Sequence, residues 1–339
     1  MAFMGNASAV KTKCRFHPST VGRTISAELN TKNQHYVWRH YLDAWAADGT
    51  FCCYRERDKK LFLTQPKAVA SETYFYETAQ LTDSDMQFLE TTISQATHEG
   101  LRELNRNYVK MTQAPFQIGE YLKGPSLTPE ARADLQKELR WIKINGMERY
   151  HAHIENKCRD ILDSLQNGDD AFYKDDGRCS DFLYFLSLQY FRTAKMREGF
   201  SNIPNYVPGH NPRRTASTLR HIVATNLAAG LFMERRAYRI VFLHNHTCNP
   251  FITGDQPVVN MLDPRETNDV ALYYPLLPRL ALVLTKDTVK FPVRERELSL
   301  FEVERYNYAI YRNSEDQIYS NDKVYMGGLV TMGKDVLAT

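Results

Sequence analysis

The chain has 339 residues, and its 43 Lys and Arg stand against 40 Asp and Glu for a net charge of +3, so no whole-chain field demands nucleic acid or anionic lipid. With 43% hydrophobic and 24% charged residues it has the composition of a folded globular protein, which excludes disordered, collagenous and coiled-coil chains. Six cysteines without a C-x-x-C pair are too sparse for a disulfide-stapled secreted scaffold and offer no zinc ribbon.

Residues 1–32 mix Lys, Ser, Thr and Asn with little apolar periodicity, which predicts a flexible N-terminal arm. The stretch up to Pro18 lacks the apolar core of a secretory signal. No apolar run approaches the ~18 residues that span a bilayer. A cytoplasmic location with no membrane partner is therefore expected.

Residues 33–339 read as a single domain. From His35, Val37, Tyr41, Leu42 and Trp45 recur at helical spacing, which predicts a short helix closed by Asp48-Gly49. Segments 50–55 and 61–64, joined by the charged string Glu56-Arg57-Asp58-Lys59-Lys60, predict a β-hairpin. Over 84–109, Met86, Leu89, Ile93, Ala96, Leu101 and Leu104 mark one long amphipathic helix, with cap candidates at Thr82 to Asp85. Thr128-Pro129-Glu130 opens a second helix, running to about 165 with a bend at Gly146. Two further helices are expected over 181–199 and 216–236, on either side of a Pro, Gly and Asn-rich loop at 202–212. The centre, 84–236, is thus helical.

The last part, 237–339, changes character. Short β-branched or aromatic runs at 238–243, 250–253, 257–261, 272–275 and 281–285 predict strands, and a late helix follows over 297–313. Strand and helix blocks that are segregated rather than alternating predict an α+β fold. It comprises an N-terminal short helix and β-hairpin, a central helical bundle and a C-terminal antiparallel β-region with the late helix.

Several short strings resemble one family. Gln34-His35-Tyr36-Val37, Tyr41-Leu42-Asp43-Ala44-Trp45, Pro66-Lys67-Ala68-Val69-Ala70 and Phe75-Tyr76-Glu77 come first. Leu188-Gln189-Tyr190-Phe191-Arg192-Thr193 with Arg197, the string Pro250 to Val258, Tyr274-Pro275-Leu276-Leu277-Pro278, and Asn307 follow. In this order, over about 33–325, they resemble the bacterial family designated domain of unknown function 4238. Trp38 stands where that family usually has proline, and Gly254 where it usually has serine, so a serine hydroxyl role does not carry over. The resemblance implies a site list more than an activity.

On that list His35, Glu77 and Asp255 are expected as catalytic groups, and Gln189, Arg192, Thr193 and Gln256 as substrate-binding ones. A histidine with carboxylates and an arginine supplies a general base, a second proton carrier or metal ligand, and a clamp for phosphate. In Gly254-Asp255-Gln256-Pro257 the proline restrains the turn and aims the Asp255 side chain in one direction. Carboxylates rather than thiols dominate, which suits a hard cation such as Mg²⁺, with the metal ligands themselves left open. The competing structural reading gives each of these residues a main-chain group to satisfy.

Other strings weigh less. His244-Asn245-His246-Thr247-Cys248 offers two imidazoles and a thiol but reads as a polar hairpin tip. His151 and His153, two residues apart on a helix, diverge too far to share a metal and read as surface. Arg213-Arg214 ahead of His221 repeats the arginine-to-histidine interval of helical ribonucleases of the HEPN type. P-loop, dinucleotide-binding, zincin and G-x-S-x-G motifs are absent from the sequence. The expected function is nuclease-like or nucleotide-directed phosphodiester hydrolysis, serving defence against foreign nucleic acid, with nucleic acid or a nucleotide as partner. The alternative is a non-catalytic module that recognises a small anion or a partner protein; the oligomeric state is open.

Overall fold

The first third of the chain folds in short pieces that lean on distant segments. The computed structural model describes residues 32–333 except Pro125, Ser126, Asn205, Tyr206, Pro264, Glu266 and Asn268. The arm expected over 1–32 thus lies, Lys32 apart, outside the described residues. Strand β1 (Asn33–His35) pairs antiparallel with β4 (Ser71–Thr73). Between them come α1 (Arg39–Asp43) and the hairpin of β2 (Phe51–Arg55) and β3 (Lys60–Thr64). The helix begins four residues later than expected, because the backbone at His35 is spent on pairing with Ser71 and the Tyr36 N–H donates to Ala70 O at 3.0 Å. Its apolar stripe is as expected: Val37, Tyr41, Leu42 and Trp45 are all buried. In the hairpin turn Lys59 adopts a positive φ of 54°.

Seven helices follow: α2 (Asp83–Ser94), α3 (Glu99–Tyr121), α4 (Pro129–Lys157), α5 (Arg159–Gln166), α6 (Asp176–Phe191), α7 (Ala194–Ser201) and α8 (Pro212–Met233). Three of the four helices expected from periodicity are each two, because local hydrogen bonds interrupt them. The stretch over 84–109 breaks after Ser94, where the N–H groups of Gln95 and Ala96 turn back onto Thr92 and Ile93. The second passes through Gly146 and stops at Cys158, whose thiol reaches Asp181 O at 3.4 Å. The third breaks at Arg192, after which the Thr193 hydroxyl caps α7. Helix α8 starts earlier than expected because Asn211 caps it and Pro212 fills its first turn. Helices α6 and α8 lie against each other, with α4 on α6 and α3 between α4 and α8.

The last third supplies β5 (Arg239–His244), β6 (Thr253–Gly254), β7 (Val259–Asn260), β8 (Leu272–Leu277), β9 (Leu280–Thr285), β10 (Glu295–Glu297), α9 (Leu300–Asn313), β11 (Gln317–Ser320) and α10 (Lys323–Met332). One sheet has the order β10-β5-β9-β8-β7 and another β3-β2-β11-β6. All pairings are antiparallel except that of β10 with β5, so the expected antiparallel region carries one parallel edge. Every residue of β9 is buried, the pattern of a strand covered on both faces. The α+β class stands. Among the described residues no helix is long and apolar enough to cross a membrane.

Polar side chains join these blocks. The Tyr41 hydroxyl donates to Pro275 O at 2.7 Å and lies 2.6 Å from Thr253 Oγ1, so α1 is tied to both sheets. Gln34 donates to Ile144 O at 2.7 Å and accepts from Tyr76 N–H at 2.8 Å, which fixes the β1–β4 ribbon on α4. Asn307 of α9 donates to Pro250 O at 2.8 Å and accepts from Ile252 N–H at 2.9 Å. At Gly254 a Cβ would lie 2.2 Å from Ser314 Oγ and 2.9 Å from Gln317 O, so glycine is required by the close approach of β11.

Asn307→Ala leaves a buried carbonyl and a buried N–H without partners, at roughly 1–3 kcal/mol each. We expect urea unfolding to show a midpoint lowered by about 2–4 kcal/mol of stability with an unchanged m-value; an unchanged midpoint removes Asn307 as a staple.

Candidate functional site

Three adjoining cavities run between the β1–β4 ribbon and the helices. The first, about 610 Å³, is lined by His35 at the end of β1, by Glu148, His151 and Glu155 of α4, and by Arg192. Tyr76, His151 and Arg192 are also walls of the second, a small one, which continues to His221 and Arg220 of α8. Tyr108, Ser217 and Arg220 are in turn shared with the third, about 550 Å³. Four arginines, Arg197, Arg213, Arg214 and Arg220, line that third cavity, and Glu77 is the sole carboxylate among its lining residues.

The cations differ in how they are held. Arg197 pairs with Glu72 at 2.6 Å, and Arg214 with the fully buried Asp85 at 2.6 Å. Arg192 is ion-paired with Glu155 and donates to Gln189 Oε1 at 2.8 Å. Arg220 is only 3% exposed, yet among the described residues it forms no ion pair. Its Nη1 donates to Thr193 O at 3.0 Å, its Nε makes no hydrogen bond among the described residues, and its guanidinium lies over the Phe75 ring at 5.4 Å. Arg197 sits over the same ring at 4.5 Å. Burial pulls the Arg220 pKa down to about 10, which leaves it charged at neutral pH. A buried charge without a counter-charge is costly unless something else neutralises it.

The imidazoles are neutral for the same reason. Burial holds His221 down to about 3 and His151 well below the ordinary histidine value. His221 stacks on Tyr108 with ring centroids 3.5 Å apart, and its Nε2 is 3.2 Å from the Tyr184 hydroxyl, itself 2.6 Å from that of Tyr150. The Nδ1 atoms of both histidines make no hydrogen bond among the described residues. Burial also pushes Glu148 up to about 7 and lowers His35.

Of the residues expected from sequence, His35, Glu77 and Arg192 reach this row of cavities. Gln189 and Thr193 stand behind it. Gln189 donates to Tyr36 O at 3.1 Å and steadies Arg192, while Thr193 offers its carbonyl to Arg220 and its hydroxyl to Gln256. Gln256 donates to Tyr190 O at 3.0 Å and Val258 O at 2.8 Å, tying the turn after β6 to the end of α6. Asp255 lies elsewhere: 1% exposed, its carboxylate accepts the N–H groups of Glu315, Asp316 and Gln317 at 2.7–2.9 Å. Burial raises it to about 6 against the pull of those three donors. Its proline-restrained turn does aim the side chain, but at the backbone ahead of β11.

Neither Arg220 nor Glu148 is among the residues expected from sequence, and His151 reads there as surface. The legible signal is Arg220-His221 inside the apolar run of α8, flanked by Leu219 and Ile222. Of the Arg213-Arg214 and His221 interval, Arg214 pairs with Asp85, while Arg213 lines the third cavity and His221 the second. His244 to Cys248 forms a turn that Asn245 organises, donating to Asn249 O at 2.8 Å and accepting from Thr247 N–H at 3.0 Å. Among the described residues no three His, Cys, Asp or Glu side chains are grouped to hold a metal ion.

A family model described as "Protein of unknown function (DUF4238)" matches residues 33–324. None of the curated proteins and none of the solved structures matches the chain.

Asp255→Ala strands three N–H groups that its buried carboxylate serves. The expected loss is about 3 kcal/mol or more, read as a lower melting temperature; a variant as stable as the parent leaves Asp255 free for a functional role. A second expectation concerns acid. The folded state refuses protons that His221 and His151 take up when unfolded, so their contribution to stability is complete above pH 6.5 and is lost as pH falls toward 3. Glu148 works in the opposite sense, contributing below 4.5 and losing that contribution as pH rises through about 7. Urea midpoints of parent and His221→Gln, compared at each pH, isolate the histidine: the variant's curve is flatter between 6.5 and 3, and parallel curves refute its burial as a neutral imidazole.

Proposed function

We propose that this chain, which belongs to the DUF4238 family of proteins of unknown function, binds a phosphate-bearing ligand, a nucleotide or short stretch of nucleic acid, in the row of cavities between the β1–β4 ribbon and α3, α4, α6 and α8. The observation that carries this reading is Arg220, a buried cation with no carboxylate partner among the described residues, at the wall shared by two cavities. A phosphate oxygen supplies the missing counter-charge and accepts from the guanidinium, which is the strong form of hydrogen bond. Arg213, which also lines the third cavity, adds to its positive field.

The hydrolytic reading attaches to the same place, because two neutral imidazoles stand beside the buried guanidiniums and a neutral imidazole accepts protons. Four buried free cysteines, Cys52, Cys53, Cys158 and Cys179, fit work in a reducing cytoplasm, where nucleotides and foreign nucleic acid are at hand.

Calorimetric titration with inorganic phosphate, adenosine monophosphate and a dinucleoside monophosphate tests the reading. We expect Arg220→Met to bind about 10–100-fold more weakly, the worth of one or two charge-assisted bonds. Its melting temperature should equal or exceed the parent's, because the substitution removes a buried, unneutralised charge. Absence of binding by the parent, or equal binding by Arg220→Met, overturns the proposal.

A further inference from the structure

The second cavity collects polar atoms that the fold leaves over. Arg192 Nε, Arg220 Nε, His151 Nδ1 and His221 Nδ1 are each buried and make no hydrogen bond among the described residues, and all four residues line it. The set is complementary: two N–H donors, and two ring nitrogens that accept when the imidazoles are neutral and protonated on Nε2. A water molecule is the group that accepts twice and donates twice. The free space of this cavity holds about one water. The two imidazole centroids are 6.5 Å apart, a span that one water bridges with hydrogen bonds of about 2.9 Å. The tautomer this requires at His221 places its proton on Nε2, which faces the Tyr184 hydroxyl, and Tyr184 passes the chain to Tyr150.

Resting on the reading of the third cavity as a phosphate site, we propose that the second cavity holds the attacking water of a phosphodiester hydrolysis, with His221 as its general base and Tyr184 as the positioning residue that fixes the imidazole. The substrate class is a small phosphodiester whose phosphate sits against Arg220. When that phosphate binds, its negative charge in the dry cleft lets His221 take up a proton that the empty cleft refuses, and a phosphoryl oxygen takes the Arg220 Nε–H, which frees a lone pair on the water. The water oxygen attacks phosphorus while its proton passes to His221 Nδ1. The bond from phosphorus to the leaving oxygen breaks with its electron pair, and that oxygen takes the proton back from His221. A phosphate monoester and an alcohol result, no oxidant or reductant is consumed, and His221 returns neutral.

Methyl p-nitrophenyl phosphate and a dinucleoside monophosphate serve as probes, turned over in ¹⁸O-labelled water. The parent should release a phosphate monoester carrying one solvent-derived oxygen. His221→Gln should lower kcat by about 10²–10⁴-fold, the usual share of a general base, while binding the probes as the parent does. Tyr184→Phe should lower kcat with KM unchanged, a split that a merely structural role does not produce, and circular dichroism confirms that both variants are folded. Arg220→Met separates the two readings, since it loses binding. A parent that binds but leaves the probes intact, a product without solvent oxygen, or an undiminished kcat in His221→Gln overturns this inference and leaves the phosphate site standing. A parent that binds none of the probes removes both.

Discussion

Main-chain groups withdrawn from water must find partners, and here many of them lie in irregular segments where no ladder supplies one. The chain meets this with side-chain amides and one carboxylate that reach to segments distant in sequence. Gln34 serves Ile144 and Tyr76, Gln189 serves Tyr36, Gln256 serves Tyr190, Asn307 serves Pro250 and Ile252, and Asp255 serves the backbone from Glu315 to Gln317. Each bond joins blocks that periodic structure leaves separate. The strand ribbon on which His35 stands, and the end of α6 that presents Arg192, are held in place this way, so the cleft depends on staples that never touch its contents.

That division explains how the sequence reads. Apolar periodicity made the segregated α+β order legible, together with the inward stripe of Val37, Tyr41, Leu42 and Trp45. Boundaries were less legible, because they are set by single hydrogen bonds such as the Thr193 cap or the Cys158 thiol contact. The polar landmarks Gln189, Asp255 and Gln256 draw attention as chemistry, yet a residue held by a buried carbonyl and one held for a substrate look alike in a string of letters. Conversely Arg220 and His221 sit in an apolar helical run, where their meaning depends on what faces them: Phe75 comes from the turn after β4, Tyr108 from α3 and Tyr184 from α6.

The cleft also sets burial against charge. Arg192 has Glu155 to neutralise it, Arg214 has Asp85, and Arg220 has only a carbonyl and an aromatic face. Desolvation that keeps His151 and His221 uncharged is the same desolvation that makes Arg220 expensive, so one dry environment prepares both the proton acceptors and the unsatisfied cation. Adjacent positions on α8 carry the two kinds of group about 100° apart around the helix, which lets Arg220 face two cavities while His221 faces one.

The four-stranded sheet bears on the order of assembly. Its inner strand β11, residues 317–320, lies between β2 and β6, so the hairpin made early in synthesis gains its neighbour only some 260 residues later. At a ribosomal pace of about 5–20 residues per second, the open flank of β2 spends tens of seconds without its partner, exposed to chaperones and to other nascent chains. Slow, non-local closure of that kind favours a late, cooperative consolidation over stepwise folding from the N-terminal side.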